Sequence, residues 1–401
     1  MSTFVGPIKE IVLGIYDGPH ATPPEAESGP VFLGIMNVTE EGRLDFSQIR
    51  HISEQDFPKW TRRVTPQMND IVFSYEATLH RYALIPEGFR GCLGRRMALV
   101  RPNTEKVVPR YLYYYFLSNR WRSVVESNVI SGATVDRIPL IRFPEFEVRL
   151  PSIPVQHKIA SILSAYDDLI ENNRRRIQLL EEAARLLYRE WFVNLRFPGH
   201  EHVAIKDGVP EGWEKKTLVE IAATNVESYK ASALPDIINY IDISSVKQGR
   251  IINKNTMPSS EAPGRARRKA RPGDIIWSNV RPNLRAFALI PDPEENDVFS
   301  TGFTVISPIT VPFTYLYLFV TTDEFVGHLV NHTTGASYPA VRPEDFERAI
   351  VLVPPKQMLE LFNEKAEPIY KFISVLEEEM KLLAQARDLL LPRLMNGEIA
   401  V

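Results

Sequence analysis

The sequence lacks most of what builds crosslinked, membrane-spanning or nucleotide-processing proteins. Its 401 residues include one cysteine, Cys92, so neither an intramolecular disulfide framework nor a cysteine-rich zinc site can form. No apolar run approaches the ~20 residues needed to cross a bilayer. The opening MSTFVGPIKEIVLG has no basic segment followed by a long apolar block, so it does not read as a secretory signal. Neither GxGxxG nor GxxxxGK[ST] occurs, which removes the two common phosphate-cradling loops. His200-Glu201-His202 lacks the spacing that puts two imidazoles on one helix face for zinc, and it reads as a solvated linker. Asp207 with Glu214-Lys215-Lys216 only loosely resembles a nuclease acid–acid–lysine set. An excess of either charge is also missing. Lys and Arg number 47 against 50 Asp and Glu, a net charge of -3, which excludes a uniformly basic nucleic-acid coat but not a local basic face. The expectation is a cytoplasmic, non-catalytic, multidomain protein without a metal site, of two to four domains at roughly 100–200 residues each.

What is present is a repeat. Gly132-Ala133-Thr134 recurs 203 residues on as Gly335-Ala336-Ser337, and the same step takes Phe143 to Phe346, Val148 to Val351 and Pro151 to Pro354. Upstream, Asp70-Ile71-Val72-Phe73-Ser74 resembles Asp274-Ile275-Ile276-Trp277-Ser278. Ala83-Leu84-Ile85-Pro86 returns verbatim at Ala288-Leu289-Ile290-Pro291, and Tyr111-Leu112-Tyr113 at Tyr315-Leu316-Tyr317. Each half opens with a mixed region, about 1–150 and 199–352. Short β-branched and aromatic runs there (DIVFSY, DIIWSN, FTVISP) predict strands, and Val108–Glu126 and Phe313–Asn331 predict helices, so the fold class is α+β.

Each half closes on a long helix. Across 155–192, Ile159, Leu163, Tyr166, Ile170, Asn173, Ile177, Leu180, Ala184, Leu187 and Trp191 alternate steps of four and three. Across 358–394, Phe362, Ala366, Ile369, Ile373, Leu376, Met380, Leu383, Arg387, Leu390 and Leu394 do the same. That 3.5-residue period predicts two helices pairing as a coiled coil. A pseudo-two-fold centred near residue 175 makes the pair antiparallel, setting Ile159 opposite Leu394, Ile177 opposite Leu376 and Trp191 opposite Phe362. Arg174 would then lie beside Glu377, and Arg176 beside Glu379. Four segments follow: 1–150, 151–198, 199–352 and 353–401.

Basic residues gather in both halves. Arg81 to Arg122 holds nine Lys/Arg and two acids, and Lys247 to Arg285 holds ten and two. Such matched clusters point to nucleic acid. Side chains that read base edges lie beside them: Ser74, Tyr75, Thr78, His80 and Arg81 after the first core strand, and Ser278, Asn279, Arg281, Asn283 and Arg285 after the second. Arginine forks onto guanine and asparagine onto adenine. Thr134, Ser337 and Tyr338 join them from the Gly132 and Gly335 loops, while Arg81, Arg95, Arg265 and Arg268 are candidates for phosphate contacts.

With these features the chain resembles the specificity subunits of type I restriction–modification systems. The resemblance runs over essentially the whole length and is strongest in DGPHATPPEAESGPVFLGIMNV, NDIVFSYEATLHRYALIPEGFRGCLGRRMALVRP, LPSIPVQHKIASILSAYDDLIENNRRRIQLLEEAARLLYREWF and LLLPRLMNGEI. It implies two target-recognition domains, each reading half of a bipartite, asymmetric site in double-stranded DNA, and two conserved helical spacers between them. It implies docking of two adenine methyltransferase (modification) subunits and a helicase–nuclease (restriction) subunit. S-adenosylmethionine, ATP and Mg would then belong to those partners, with no cofactor in this chain. One departure is the opening PPKQMLELFNEKAEPIY of the second helix, which lacks the Val155-Gln156-His157 start of the first. The alternative weighed against DNA reading is a coiled-coil scaffold that spaces two partner-binding domains.

Overall fold

The computed structural model describes residues 3–131, 135–335 and 338–401. The chain divides into two compact units, Met1–Asn172 with Met380–Val401, and Asn173–Glu379.

In the first unit an antiparallel four-stranded sheet runs in the order Val12–Asp17, Met97–Pro102, Ile71–Ser74, Tyr82–Leu84. Ile71–Ser74 is buried at every position, as a strand covered on both faces must be. Alternate side chains serve different cores: Ile71 and Phe73 pack with Trp121 and Phe143, while Val72 packs with Leu33 and Leu93. A second sheet joins Arg50–His51, Ala26–Leu33 and Gly91–Leu93, the last two parallel. Phe4–Pro7 pairs antiparallel with Glu147–Leu150, the last strand before the long helix.

The second unit repeats this plan. Its antiparallel sheet runs Ala222–Thr224, Phe303–Pro308, Asp274–Ser278, Phe287–Ile290. A second sheet runs Asn255–Pro258, Ile237–Ile241, Asp297–Ser300, Ala266–Arg268, again with one parallel pair. Glu214–Thr217 pairs with Ile350–Val353. The repeat therefore reaches further upstream than the sequence matches do.

Each shorter helix expected from the sequence is in fact two. Pro109–Leu117 is followed by Asn119–Glu126, and Phe313–Val320 by Asp323–Asn331. Capping makes the breaks. The Ser118 hydroxyl accepts the Trp121 N–H at 3.4 Å and the Thr322 hydroxyl that of Phe325 at 3.2 Å, each serving an otherwise unpaired donor of a helix start.

The long helices are Ile153–Tyr188, closed by a π-turn over Arg189–Val193, and Lys356–Met395. In the first unit Ile159 and Leu163 share a core with Leu394 and Met395, and Arg387 donates to Asp167 at 2.6 Å. In the second, Asn173 donates to Glu379 at 3.0 Å, and the rings of Trp191 and Phe362 lie 5.7 Å apart. Within each unit, numbers rise along one helix as they fall along the other, so the pairing is antiparallel and in the register read from the seam. One of the two expected charge pairs differs. Arg176 does not meet Glu379; it lies over the Phe372 ring at 5.0 Å and donates to Asn173, the residue that holds Glu379. The planar guanidinium takes the apolar ring face that an exposed carboxylate cannot cover. Among the described residues no helix is long and apolar enough to cross a membrane.

Candidate nucleic-acid interface

In each unit, three loops are woven together by backbone hydrogen bonds at the end of the core strand. In the first, the turn after Ile71–Ser74 passes through Ala77 and His80 at φ 71° and 62°. The Tyr75 N–H donates to the Arg96 carbonyl at 3.1 Å, the Tyr75 carbonyl accepts from Ile138 at 2.7 Å, and the Ala77 N–H donates to Asp136 at 3.1 Å. In the second, the turn after Asp274–Ser278 passes through Arg281 and Arg285 at φ 50° and 54°. The N–H groups of Asn279, Val341 and Arg281 donate to Gly302, Asn279 and Pro339, each at 2.8 Å. A fourth bond, Thr301 N–H to the Arg265 carbonyl at 2.8 Å, draws Arg265 to this weave.

This geometry sorts the candidate readers. Ser74 and Ser278 are fully buried, and their hydroxyls donate to the carbonyls of Thr78 and Val280, pinning the turns and leaving nothing for a ligand. Tyr75 is buried with its hydroxyl 3.3 Å from His20 Nδ1, and burial, with Asp17 and Glu76 adding to it, raises its pKa. The side-chain carbonyl of Asn279 accepts from Thr304 at 2.7 Å, again a framework role. Arg81 is held by Glu40 at 2.6 Å, Arg285 by Asp323, and His80 lies 3.7 Å from Glu126. Arg268 is half-buried and donates to Ser228 at 3.1 Å; burial lowers its pKa. Thr78, Arg95, Arg265, Arg281, Asn283 and Tyr338 are exposed. Arg281 stacks on Tyr338 at 4.9 Å, which aligns the guanidinium while leaving its fork open. Thr134 and Ser337 lie outside the described residues.

The two basic clusters are weaker than their sequence counts. Arg90, Arg101, Arg110 and Arg122 pair with Glu54, Asp70, Asp168 and Glu126, and in the second half Arg250, Lys254 and Arg271 pair with Glu181, Asp297 and Glu227. Acids distant in sequence neutralise what looks locally positive. The structure also brings Glu76, Arg96 and Arg137 to the first weave, none of which the sequence singled out; Arg96 meets Glu76 at 3.0 Å. Positive φ at Ala77 and Arg281 leaves no trace in residue type, and the only sequence signal is the 204-residue step from Asp70–Ser74 to Asp274–Ser278, which sets Ala77 opposite Arg281.

Residues 36–182 match the family model of the type I restriction modification DNA specificity domain. The chain is 24% identical over 385 residues to the MjaIX type I restriction enzyme specificity subunit of Methanocaldococcus jannaschii, covering 92% of this chain and 83% of that protein. It is 21% identical over 387 residues to the HindI specificity subunit of Haemophilus influenzae, covering 76% and 80%. In fold it is similar to the crystal structure of the type I restriction–modification S subunit from M. genitalium, with a TM-score of 0.56 at 16% identity over 98% of this chain and 96% of that one. With a match to the specificity domain in its first half and specificity subunits matched over most of both lengths, the chain is similar to the specificity subunits of type I restriction–modification systems.

Proposed function

We propose that the chain is the DNA-reading subunit of a type I complex, each unit recognising one half of a bipartite, asymmetric site. It directs adenine methylation or restriction by two modification subunits and a helicase–nuclease subunit, and it performs no catalysis itself. S-adenosylmethionine, ATP and Mg belong to those partners. One observation carries this reading: the same backbone weave occurs twice, with different exposed side chains on each copy. A spacer scaffold needs the framework but not that difference; two readers of different half-sites need both. Exposed arginines that have no acidic partner among the described residues supply phosphate and base contacts, and the shared framework holds them in comparable poses.

The test is to express the chain with its modification subunits and map methylated adenines, with and without it. A split motif is expected only when the chain is present. Arg281→Ala or Asn283→Ala is expected to relax one half-motif and leave the other intact, each lost bidentate contact costing roughly 1–3 kcal/mol. Equal damage to both halves would contradict two independent readers. Binding should also fall steeply with salt as phosphate counterions are released. A salt-indifferent affinity would remove the electrostatic component.

A further inference from the structure

Three hydrogen bonds of each weave correspond one to one, and between the weaves an arginine changes strand. The Ala77 N–H donates to the Asp136 carbonyl, as the Arg281 N–H does to the Pro339 carbonyl. One residue further on, Arg137 bridges Glu76 and Ile130, as Ala340 bridges Val280 and Thr334. Ala77 thus corresponds to Arg281, and Arg137 to Ala340. Each weave holds one arginine and one alanine at this pair of positions, on opposite strands.

We infer that Arg137 is the base-reading arginine of the first unit, doing there from the return strand what Arg281 does from the turn in the second. The inference rests on the DNA-reading function proposed above. Arg137 is exposed, and among the described residues no carboxylate forms a salt bridge with it; the nearest acid in the ladder, Glu76, is engaged by Arg96 at 3.0 Å. Its backbone is fixed by reciprocal bonds with Ile130 at 3.0 and 3.1 Å, so the side chain projects from a defined base rather than from a loose loop. A free guanidinium on a fixed backbone is suited to bidentate recognition of guanine O6 and N7. Because the arginine comes from the opposite strand of the weave, the two units present it to different positions of their half-sites. A shared fold thereby reads an asymmetric sequence.

The experiment uses the full chain in complex with its modification subunits. Arg137→Ala is expected to lose roughly 5- to 150-fold discrimination at one guanine of a single half-motif, with the other half unchanged. Replacing that guanine by 7-deazaguanine, which lacks N7, should weaken the wild-type complex and leave Arg137→Ala unaffected. The double variant Ala77→Arg/Arg137→Ala, which adopts the second unit's arrangement at a φ that Arg281 already tolerates, should shift the preferred position within that half-motif. Uniform weakening over all sequences with a salt slope reduced by about one would make Arg137 a phosphate contact and overturn the assignment. An unaltered motif in Arg137→Ala, with the protein folded by circular dichroism, would overturn it too. Loss of any sequence motif in the wild-type complex would instead overturn the DNA-reading function itself.

Discussion

The two units fasten their helices by different chemistry at equivalent positions. In the first, Arg387 sits in the helix seam, donates to Asp167 at 2.6 Å and to Asp388 at 2.7 Å, and Tyr114 donates to the other Asp167 oxygen at 2.5 Å. The repeat-related residues in the second unit are Ala184 and Tyr370. Ala184 is fully buried, and Tyr370 packs edge-on against Tyr317 at 5.5 Å. Nearby, Tyr188, Trp191, Phe192, Tyr315 and Phe362 form an aromatic cluster that contains no charge. An internally repeated helix pair faces competing registers, because shifts of seven residues keep apolar side chains in the seam. A charge that finds its partners in one half only breaks that degeneracy: at another register Arg387 would be buried without Asp167. Aromatic packing supplies stability in the second unit, and the polar network supplies uniqueness in the first.

Substitutions should separate these roles. Phe362→Ala removes the ring at the centre of the aromatic cluster and is expected to destabilise the second unit by about 3–5 kcal/mol, read as lost hydrogen-exchange protection there. Asp167→Ala leaves Arg387 with Asp388 alone and should cost the first unit about 1.5–3 kcal/mol. The double variant Asp167→Leu/Arg387→Met should recover most of that loss while broadening the distribution of helix registers, measurable by engineered crosslinks across the seam. If the double variant kept a single register, the polar network would not be what selects it.

Smaller effects probe features the units share. Ser118→Ala and Thr322→Ala each remove one cap and should cost about 0.5–2 kcal/mol, by similar amounts if the halves are built alike. The smallest effect is confined to the first unit. Burial, reinforced by Arg122 and opposed by Glu126, holds the His80 pKa below its ordinary value. The folded state therefore resists protonation there. The stability involved is present above the ordinary imidazole value of about 6.5 and is lost as pH falls through the lowered one. His80→Asn, which suits the same left-handed turn, should gain on wild type in melting temperature as the solution is acidified from about pH 7 to about pH 5. Arg285, its counterpart in the second turn, should show no such pH dependence when replaced.

Much of the architecture is encoded in short-range pattern. Heptad spacing specified both long helices, because burial of every third or fourth side chain is a property of the helix alone, and the pseudo-two-fold of the repeat supplied their antiparallel sense. Repeated runs such as Asp70–Ser74 and Asp274–Ser278 specified two α+β domains, since a short continuous apolar run suffices to define a strand buried on both faces. Tertiary structure decided which polar side chains are free. Ser74, Tyr75 and Asn279 look like readers in sequence, yet they are buried or bonded to framework groups. Arg81 and Arg285 look basic, yet each meets a carboxylate about forty residues away, Glu40 and Asp323. Arg137 and Arg281 come to the same rung of the two weaves only because backbone bonds align Arg281 with Ala77 and Arg137 with Ala340. Local sequence determines which residues must be buried, because hydrophobicity and period act within a single element. Availability for binding depends on which distant partner has already satisfied a charge or a hydrogen bond, and only the folded chain brings those partners together.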